Sequence, residues 1–312
     1  MQTIDNVQTI TPQALSQWIQ TDQALILIDT LTDDHFTKMH LPGAHSACVF
    51  QVTFLDQIRA ITADRQSSIV IYGASDTSME AAVAAEKLLR EGYSRLHILE
   101  GGIKGWLAAG FSLDGEAADT APVPENRLIL NDGNYRVDLD QSIIEWAGRN
   151  PTTKHDGTLK IASGAITIEN SQPTGSFTID MNAIENKSLA GDELQPVLID
   201  HLKSDDFFFT RLFPTATFTI HEARLRDNAH LSAPNMDLKG ELTLRGMTAG
   251  LDFCATVVQT PDQTITARAQ FDLDRTRWSI IYGSTRFFEH LGMHLVFDHI
   301  SMDLKIVARQ VD

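Results

Sequence analysis

The apolar residues of this chain change period once, and that change sets what the chain can fold into. Up to about residue 113 they come in short unbroken runs separated by helical patterns. Residues 25–28 (LILI), 68–72 (SIVIY) and 96–99 (LHIL) are such runs, and an unbroken run marks a strand covered on both faces. Residues 79–91, rich in Ala and Leu and stopped by Gly92, predict a helix. Thr11-Pro12 supplies an N-cap and first-turn pair for another helix through Ile19. Strands alternating with helices predict a mainly parallel α/β sheet flanked by helices.

Beyond residue 127 the period is two. Phe177, Ile179 and Met181 fall on one face, as do Phe218 and Ile220, Leu242 and Leu244, Leu251 and Phe253, and Phe271 and Leu273. Asp156-Gly157 and Pro261-Asp262 read as turns between such runs. Many alternating strands with turn punctuation predict an antiparallel β-barrel or sandwich. Leu194, Val197, Leu198 and Leu202 have helical spacing, so one helix is expected to cross between strands. Residues 114–127 (DGEAADTAPVPENR) lack large apolar side chains and hold two prolines, the composition of a linker. The expected organisation is a domain over 1–113, a linker over 114–127 and a barrel over 128–312, as the length of 312 residues suggests.

A net charge of −16 argues against nucleic acid and anionic lipid surfaces as partners. Cys48 and Cys254 provide no disulfide framework. No basic segment followed by an apolar one opens the sequence, and no run of 18 apolar residues predicts a transmembrane segment, so a cytoplasmic location is the expectation.

The run ending at Tyr72 is followed by Gly73, Ala74, Ser75, Asp76 and Thr77, with a helical pattern starting at Ser78. A strand–loop–helix turn of this kind gathers backbone N–H groups and the positive end of a helix around one hollow. A thiol at its first position would ionise readily, but position 73 is glycine. Ser75, Thr77 and Ser78 have no histidine–acid pair in sequence to make nucleophiles of them and read as helix caps. Cys48 reads as a quiet buried residue. His290 and His294 are spaced for a zinc site but lack an evident third ligand, so no metal is expected.

Leu27-Ile28-Asp29, Phe36 with His40-Leu41-Pro42-Gly43-Ala44, the loop 73–78, and Leu99-Glu100-Gly101-Gly102-Ile103 with Trp106 and Gly110 together resemble the successive motifs of rhodanese-like domains. In that family the first loop residue is the cysteine that carries a persulfide. The resemblance therefore implies a sulfur-handling scaffold without its nucleophile, a pseudoenzyme, with Asp76 adding a charge that opposes anions. Its implied role is docking or anion sensing, in a setting of sulfur metabolism. A sulfurtransferase working through Cys48 is the enzymatic alternative.

From Tyr135 onward the chain resembles the YceI-like family of lipocalin-like, polyisoprenoid-binding barrels. The residues that carry this are Trp146-Ala147-Gly148-Arg149, residues 175–181 (GSFTIDM), His201 to Phe208, Phe213 to Ile220, residues 240–248 (GELTLRGMT), and Phe271 to Trp278 with Tyr282 and Phe287-Phe288. Alternation alone favours a filled core. The resemblance implies instead a tunnel for a polyisoprenoid or isoprenoid quinone, lined by Phe177, Ile179, Phe218, Leu242, Leu244, Phe253 and Phe271. It implies no catalytic residue and no cofactor other than such a lipid or quinone, and it suggests a homodimer. An empty barrel with a structural or interaction role is the third reading. Arg275 and Arg277 fall in the family's Asp-Arg motif, where they could pair a headgroup oxygen, and local ion pairs with Asp272 or Asp274 are the plainer reading.

Overall fold

Each unbroken apolar run of the first hundred residues becomes a strand with side chains packed on both of its faces. The computed structural model describes residues 7–118, 128–226 and 230–311. The chain divides into two units, Met1–Val123 and Pro124–Asp312. The elements of the first are β1 (Gln8–Ile10), α1 (Pro12–Thr21), β2 (Ile26–Asp29), α2 (Asp33–Lys38), β3 (His45–Ser46), α3 (Phe54–Ile61), β4 (Ile69–Tyr72), α4 (Glu80–Arg90), β5 (Leu96–Leu99) and α5 (Gly102–Ala108). The strands form one parallel sheet in the order β1-β5-β4-β2-β3. Ile28, Ile69 and Ile71 pack with Phe54, Ile58, Ala84 and Leu88 of α3 and α4. Leu27, Val70 and Tyr72 pack with Leu15, Ile103 and Trp106 of α1 and α5. Alternate residues of one strand therefore serve two cores, which is why the run is continuous.

Helix α1 starts as the sequence indicates, with Thr11 Oγ1 accepting from Ala14 N at 3.2 Å and Pro12 in the first turn. Residues 114–118, expected in the linker, are tied to the first unit. Asp114 bridges to His40, and the N–H groups of Glu116 and Ala117 donate to Thr37 and Lys38 carbonyls. The remainder of the expected linker, 119–127, lies outside the described residues.

The second unit comprises β6 (Gly133–Val137), β7 (Ile143–Arg149), β8 (Lys154–Glu169), β9 (Gln172–Asn186), α6 (Leu194–Lys203), β10 (Thr215–Leu225), β11 (Met236–Leu244), β12 (Met247–Gln259), β13 (Thr264–Asp274) and β14 (His299–Val311). All its pairings are antiparallel. Both β6 and β7 pair with β8 on one side and β14 on the other, so the two short segments lie in line as a single stave. Pairing of β13 with β14 then closes an eight-staved barrel. The Ser142 hydroxyl bridges the break between β6 and β7 by serving both the N–H and the C=O of Val307. Arg245-Gly246, both at positive φ, form the tight turn from β11 to β12.

One expected turn is a strand. Asp156-Gly157 lies inside β8, where a side chain at 157 would run into the Glu185 carbonyl and stand 2.9 Å from the Trp146 ring. The glycine records a close approach of neighbours rather than a reversal of the chain. Among the described residues no helix is long and apolar enough to cross a membrane.

Candidate functional site

The loop after β4 is held from two sides. Helix α5 donates Ile103 N–H to the Gly73 carbonyl at 3.0 Å and Lys104 N–H to the Ala74 carbonyl at 3.2 Å. This approach requires Gly102, at φ +53°, because a side chain there would collide with the Gly73 carbonyl. Within the loop, Ser78 Oγ accepts from Ser75 N at 3.0 Å and donates to Ser75 O at 2.9 Å, and Ser75 Oγ lies 3.0 Å from Thr77 Oγ1. The expectation that these hydroxyls cap the following helix is corrected. Helix α4 begins at Glu80 behind an N-cap Met79 with no side-chain cap, because Ser78 is already engaged in closing the loop. The Ser75 amide, one of those that would form an anion cradle, is thereby occupied.

The space at Gly73 is occupied too. A Cβ built there stands 2.8 Å from Glu80 Oε2 and 3.2 Å from Glu80 Cβ. Glu80 Oε2 is buried with no hydrogen-bond partner among the described residues, as is Oδ2 of Asp29 at the end of β2. Burial pushes the Asp29 carboxyl up to about 6, against the Leu31 N–H, the Tyr72 hydroxyl and the His40 charge that favour its ionised form. Tyr72 is buried by the same wall, and desolvation holds its phenol well above the ordinary value. Asp76, the opposing charge visible in sequence, is exposed at the loop surface. Glu80 is the carboxylate nearer to position 73, and sequence reasoning missed it. Its signal was its place as the first residue of the helix that follows the loop.

Cys48 is 2% exposed. It sits in a segment pinned beside β2 by Ala47 N to Asp29 O at 2.9 Å and Val49 N to Thr30 O at 3.1 Å.

The barrel encloses a cavity of about 410 Å³ with an overwhelmingly apolar wall. All seven residues expected to face inward, Phe177, Ile179, Phe218, Leu242, Leu244, Phe253 and Phe271, line it. Phe253 stacks on Phe271 with centroids 4.5 Å apart, and Phe218 lies 5.4 Å from Phe253. Met293 lines the cavity and is 97% exposed, so the space reaches the surface on the segment before β14. Helix α6 forms another part of this rim: Leu198 and Leu202 line the cavity, while Leu194 and Val197 are exposed. The opposite end is crossed by a polar network in which Gln259 donates to the Tyr135 hydroxyl at 3.0 Å and Tyr135 to the Asn131 carbonyl at 2.9 Å.

Arg275 is the largest departure from expectation at the rim. It is 1% exposed and spends its guanidinium on the carbonyls of Ile280, Tyr282, Val296 and Phe297, with Asp298 at 3.9 Å. It fastens the 280–298 segment rather than pairing with Asp272 or Asp274. Arg277 donates to the Gly250 carbonyl at 2.6 Å, and Asp274 pairs with Arg286 at 2.9 Å. The His201 ring meets Phe207 and Tyr282 edge-on at 5.0 and 4.8 Å, and the Tyr282 hydroxyl lies 3.3 Å from His294 Nδ1. His290 is fully at the surface beside Glu289, and among the described residues no three His, Cys, Asp or Glu side chains gather as metal ligands.

An eight-staved antiparallel barrel around an apolar hollow, with one helix at its rim, defines a lipocalin-like protein; the parallel sheet before it is of the rhodanese kind. A model of the YceI-like domain matches residues 135–308, and a model of the rhodanese-like domain matches residues 11–109. The chain belongs to the YceI-like family and carries an additional rhodanese-like domain. No curated protein matches it. Among solved structures it is similar to BcnA of Burkholderia cenocepacia, with 18% identity over 55% of this chain and 98% of that one, at a TM-score of 0.44. It is also similar to a polyisoprenoid binding domain from Saccharophagus degradans implicated in plant cell wall breakdown, with 14% identity over 57% of this chain and 98% of that one, at 0.40. For the first unit, a rhodanese-related protein from Thermoplasma volcanium shares 17% identity over 35% of this chain and 99% of that one, at 0.30.

Proposed function

We propose that this protein binds an isoprenoid-type amphiphile, a polyisoprenoid or isoprenoid quinone, inside the barrel, and that its rhodanese-like domain is a non-catalytic docking module. The observation that carries the reading is the cavity of about 410 Å³, walled by aliphatic and aromatic side chains and open at one rim. Each CH₂ moved from water into such a wall gains about 0.8 kcal/mol, so a long hydrocarbon tail is its natural occupant. The Saccharophagus degradans domain of the same barrel type is described as polyisoprenoid binding, which agrees with this ligand class.

For the first domain, glycine at position 73 supplies no nucleophile, Glu80 stands beside that position, and Asp76 adds a further acidic side chain on the exposed loop. Of the two roles the sequence suggests for it, docking fits these charges and anion sensing does not. Cys48 is sealed from reagents in bulk solvent, which removes support from a sulfurtransferase working through it.

Organic-solvent extraction of the purified protein followed by mass spectrometry tests the proposal. A co-purifying isoprenoid, or saturable binding of a prenyl probe by delipidated protein, is the expected result. An extract free of lipid together with no probe binding would refute it.

A further inference from the structure

The large apolar side chains that the first unit leaves in solvent are gathered on two segments. Among the described residues they are Phe50 and Val52, 69% and 102% exposed, and Met79 and Val83, 53% and 39% exposed. Residues 47–53 follow β3 and residues 73–79 follow β4, and both strands run parallel to the β2 between them. The two segments therefore leave the same edge of the sheet. Met79, the N-cap, is followed at four-residue intervals by Val83 and Lys87, so the three share one face of α4. Lys87 Nζ donates to the Val49 carbonyl at 2.8 Å, which turns that face toward the chain around Phe50. Single apolar residues scattered over a surface need no explanation, whereas a gathered set marks an interaction face.

The charge around this face has one sign. Residues 46–58 and 73–86 contain Asp56, Asp76, Glu80 and Glu86 and no Lys or Arg. Asp33 joins them from α2, its carboxylate accepting from Ser46 Oγ at 2.9 Å and from Gln51 Nε2 at 3.0 Å. Asp56 and Glu86 pair with Arg59 and Arg90. Among the described residues Asp33, Asp76 and Glu80 stand in no ion pair. Lys87, the cation on the same helix face, is spent on a backbone carbonyl. An apolar centre framed by carboxylates repels nucleic acid and anionic lipid alike, and a second copy of this chain would bring the same charges against it. A segment with an apolar anchor flanked by Lys or Arg would bury the anchor and pair the free carboxylates.

We infer that this face, formed by Phe50, Val52, Met79 and Val83, docks a basic segment of another protein, one whose large apolar side chains are flanked by Lys or Arg. The inference rests on the proposal that the first domain is a docking module, and it names the face and the chemistry of the partner.

Two synthetic probes test it on the full-length protein: an amphipathic peptide of Leu and Lys, and its analogue with Glu in place of every Lys. Each is titrated to a dissociation constant while the backbone amide resonances of the protein are recorded. The Lys peptide should bind at least about tenfold more tightly than the Glu analogue and should shift the amides of residues 50–52 and 76–83. Phe50→Ser together with Val83→Ser should weaken its binding roughly fivefold or more, the scale of one anchor lost from an interface. Leu139→Ser, which removes an exposed apolar side chain between β6 and β7, should leave the binding unchanged. Equal binding of the two peptides at these residues overturns the charge assignment and leaves docking at this face intact. Shifts confined to other residues, or a dissociation constant that the paired substitutions do not move, overturn the face. If neither peptide binds, the face and the docking reading both fall.

Discussion

The two domains treat their interior space in opposite ways. In the parallel sheet, the hollow at the strand ends carries glycine at position 73 and is filled: Glu80 reaches to position 73, Ser78 closes the loop on itself, and α5 clamps it from behind. In the barrel, the interior stays open although Phe177, Phe218, Phe253 and Phe271 supply bulky side chains for a packed core. Eight staves give a circumference that side chains can just fill or can leave wide enough for one slim ligand. A fold that keeps a cavity forgoes packing contacts that would stabilise it. The barrel leaves an apolar hollow free, while the loop of the first domain is occupied by its own side chains.

The largest expected effect tests what holds the hollow open. Arg275→Met strands four backbone carbonyls at the rim and should destabilise the barrel by about 3–5 kcal/mol, read by urea unfolding followed through barrel-specific hydrogen exchange. A loss under about 1 kcal/mol would mean that the rim is not fastened by this side chain.

The second effect concerns the filled niche. An acid whose pKa is raised on folding binds more protons in the native state than in the unfolded one. Between pH about 4 and 6, stability should therefore fall as pH rises, and the penalty at neutral pH is about 2–3 kcal/mol. Asp29→Asn keeps an acceptor for Leu31 N–H, so it should stabilise the first domain at pH 7 by about that amount and flatten its stability across this window. An unchanged slope would show that Asp29 ionises normally.

Position 73 offers a smaller test with a chemical readout. Gly73→Cys alone should form little persulfide from thiosulfate, because the adjacent Glu80 carboxylate raises the thiol pKa and crowds its Cβ. Adding Glu80→Gln should increase the yield about tenfold, and equal yields would remove Glu80 from the explanation. Smallest of all, Ser78→Ala should cost about 1 kcal/mol in the first domain through loss of the loop lock, seen as a lowered midpoint of thermal unfolding.

Both folds were legible in the sequence because each rests on periodicity: continuous runs such as residues 69–72 for strands with two buried faces, and alternation such as Leu242 and Leu244 for the barrel wall. The inward face of the barrel was readable residue by residue for the same reason, since a strand fixes its faces with period two. Features that depend on contacts between distant segments were not readable. Gly157 looks like a turn residue until Glu185 and Trp146 are seen beside it. Arg275 looks like half of a local ion pair until the 280–298 segment folds over it. Glu80 looks like an ordinary helix residue, and only the curl of the loop brings it to position 73. The hollow itself is a sum over eight staves that no single run discloses.

Filling the barrel interior separates a binding site from an imperfect core. Ala216 lines the cavity on β10 and is 2% exposed. A fluorescent prenyl probe should bind the delipidated wild-type protein saturably with one site per chain, and Ala216→Trp, folded by circular dichroism, should weaken that binding at least about tenfold, the equivalent of roughly 1.4 kcal/mol. Equal binding by the two proteins would place the probe outside the barrel, and the interior would then be no binding site.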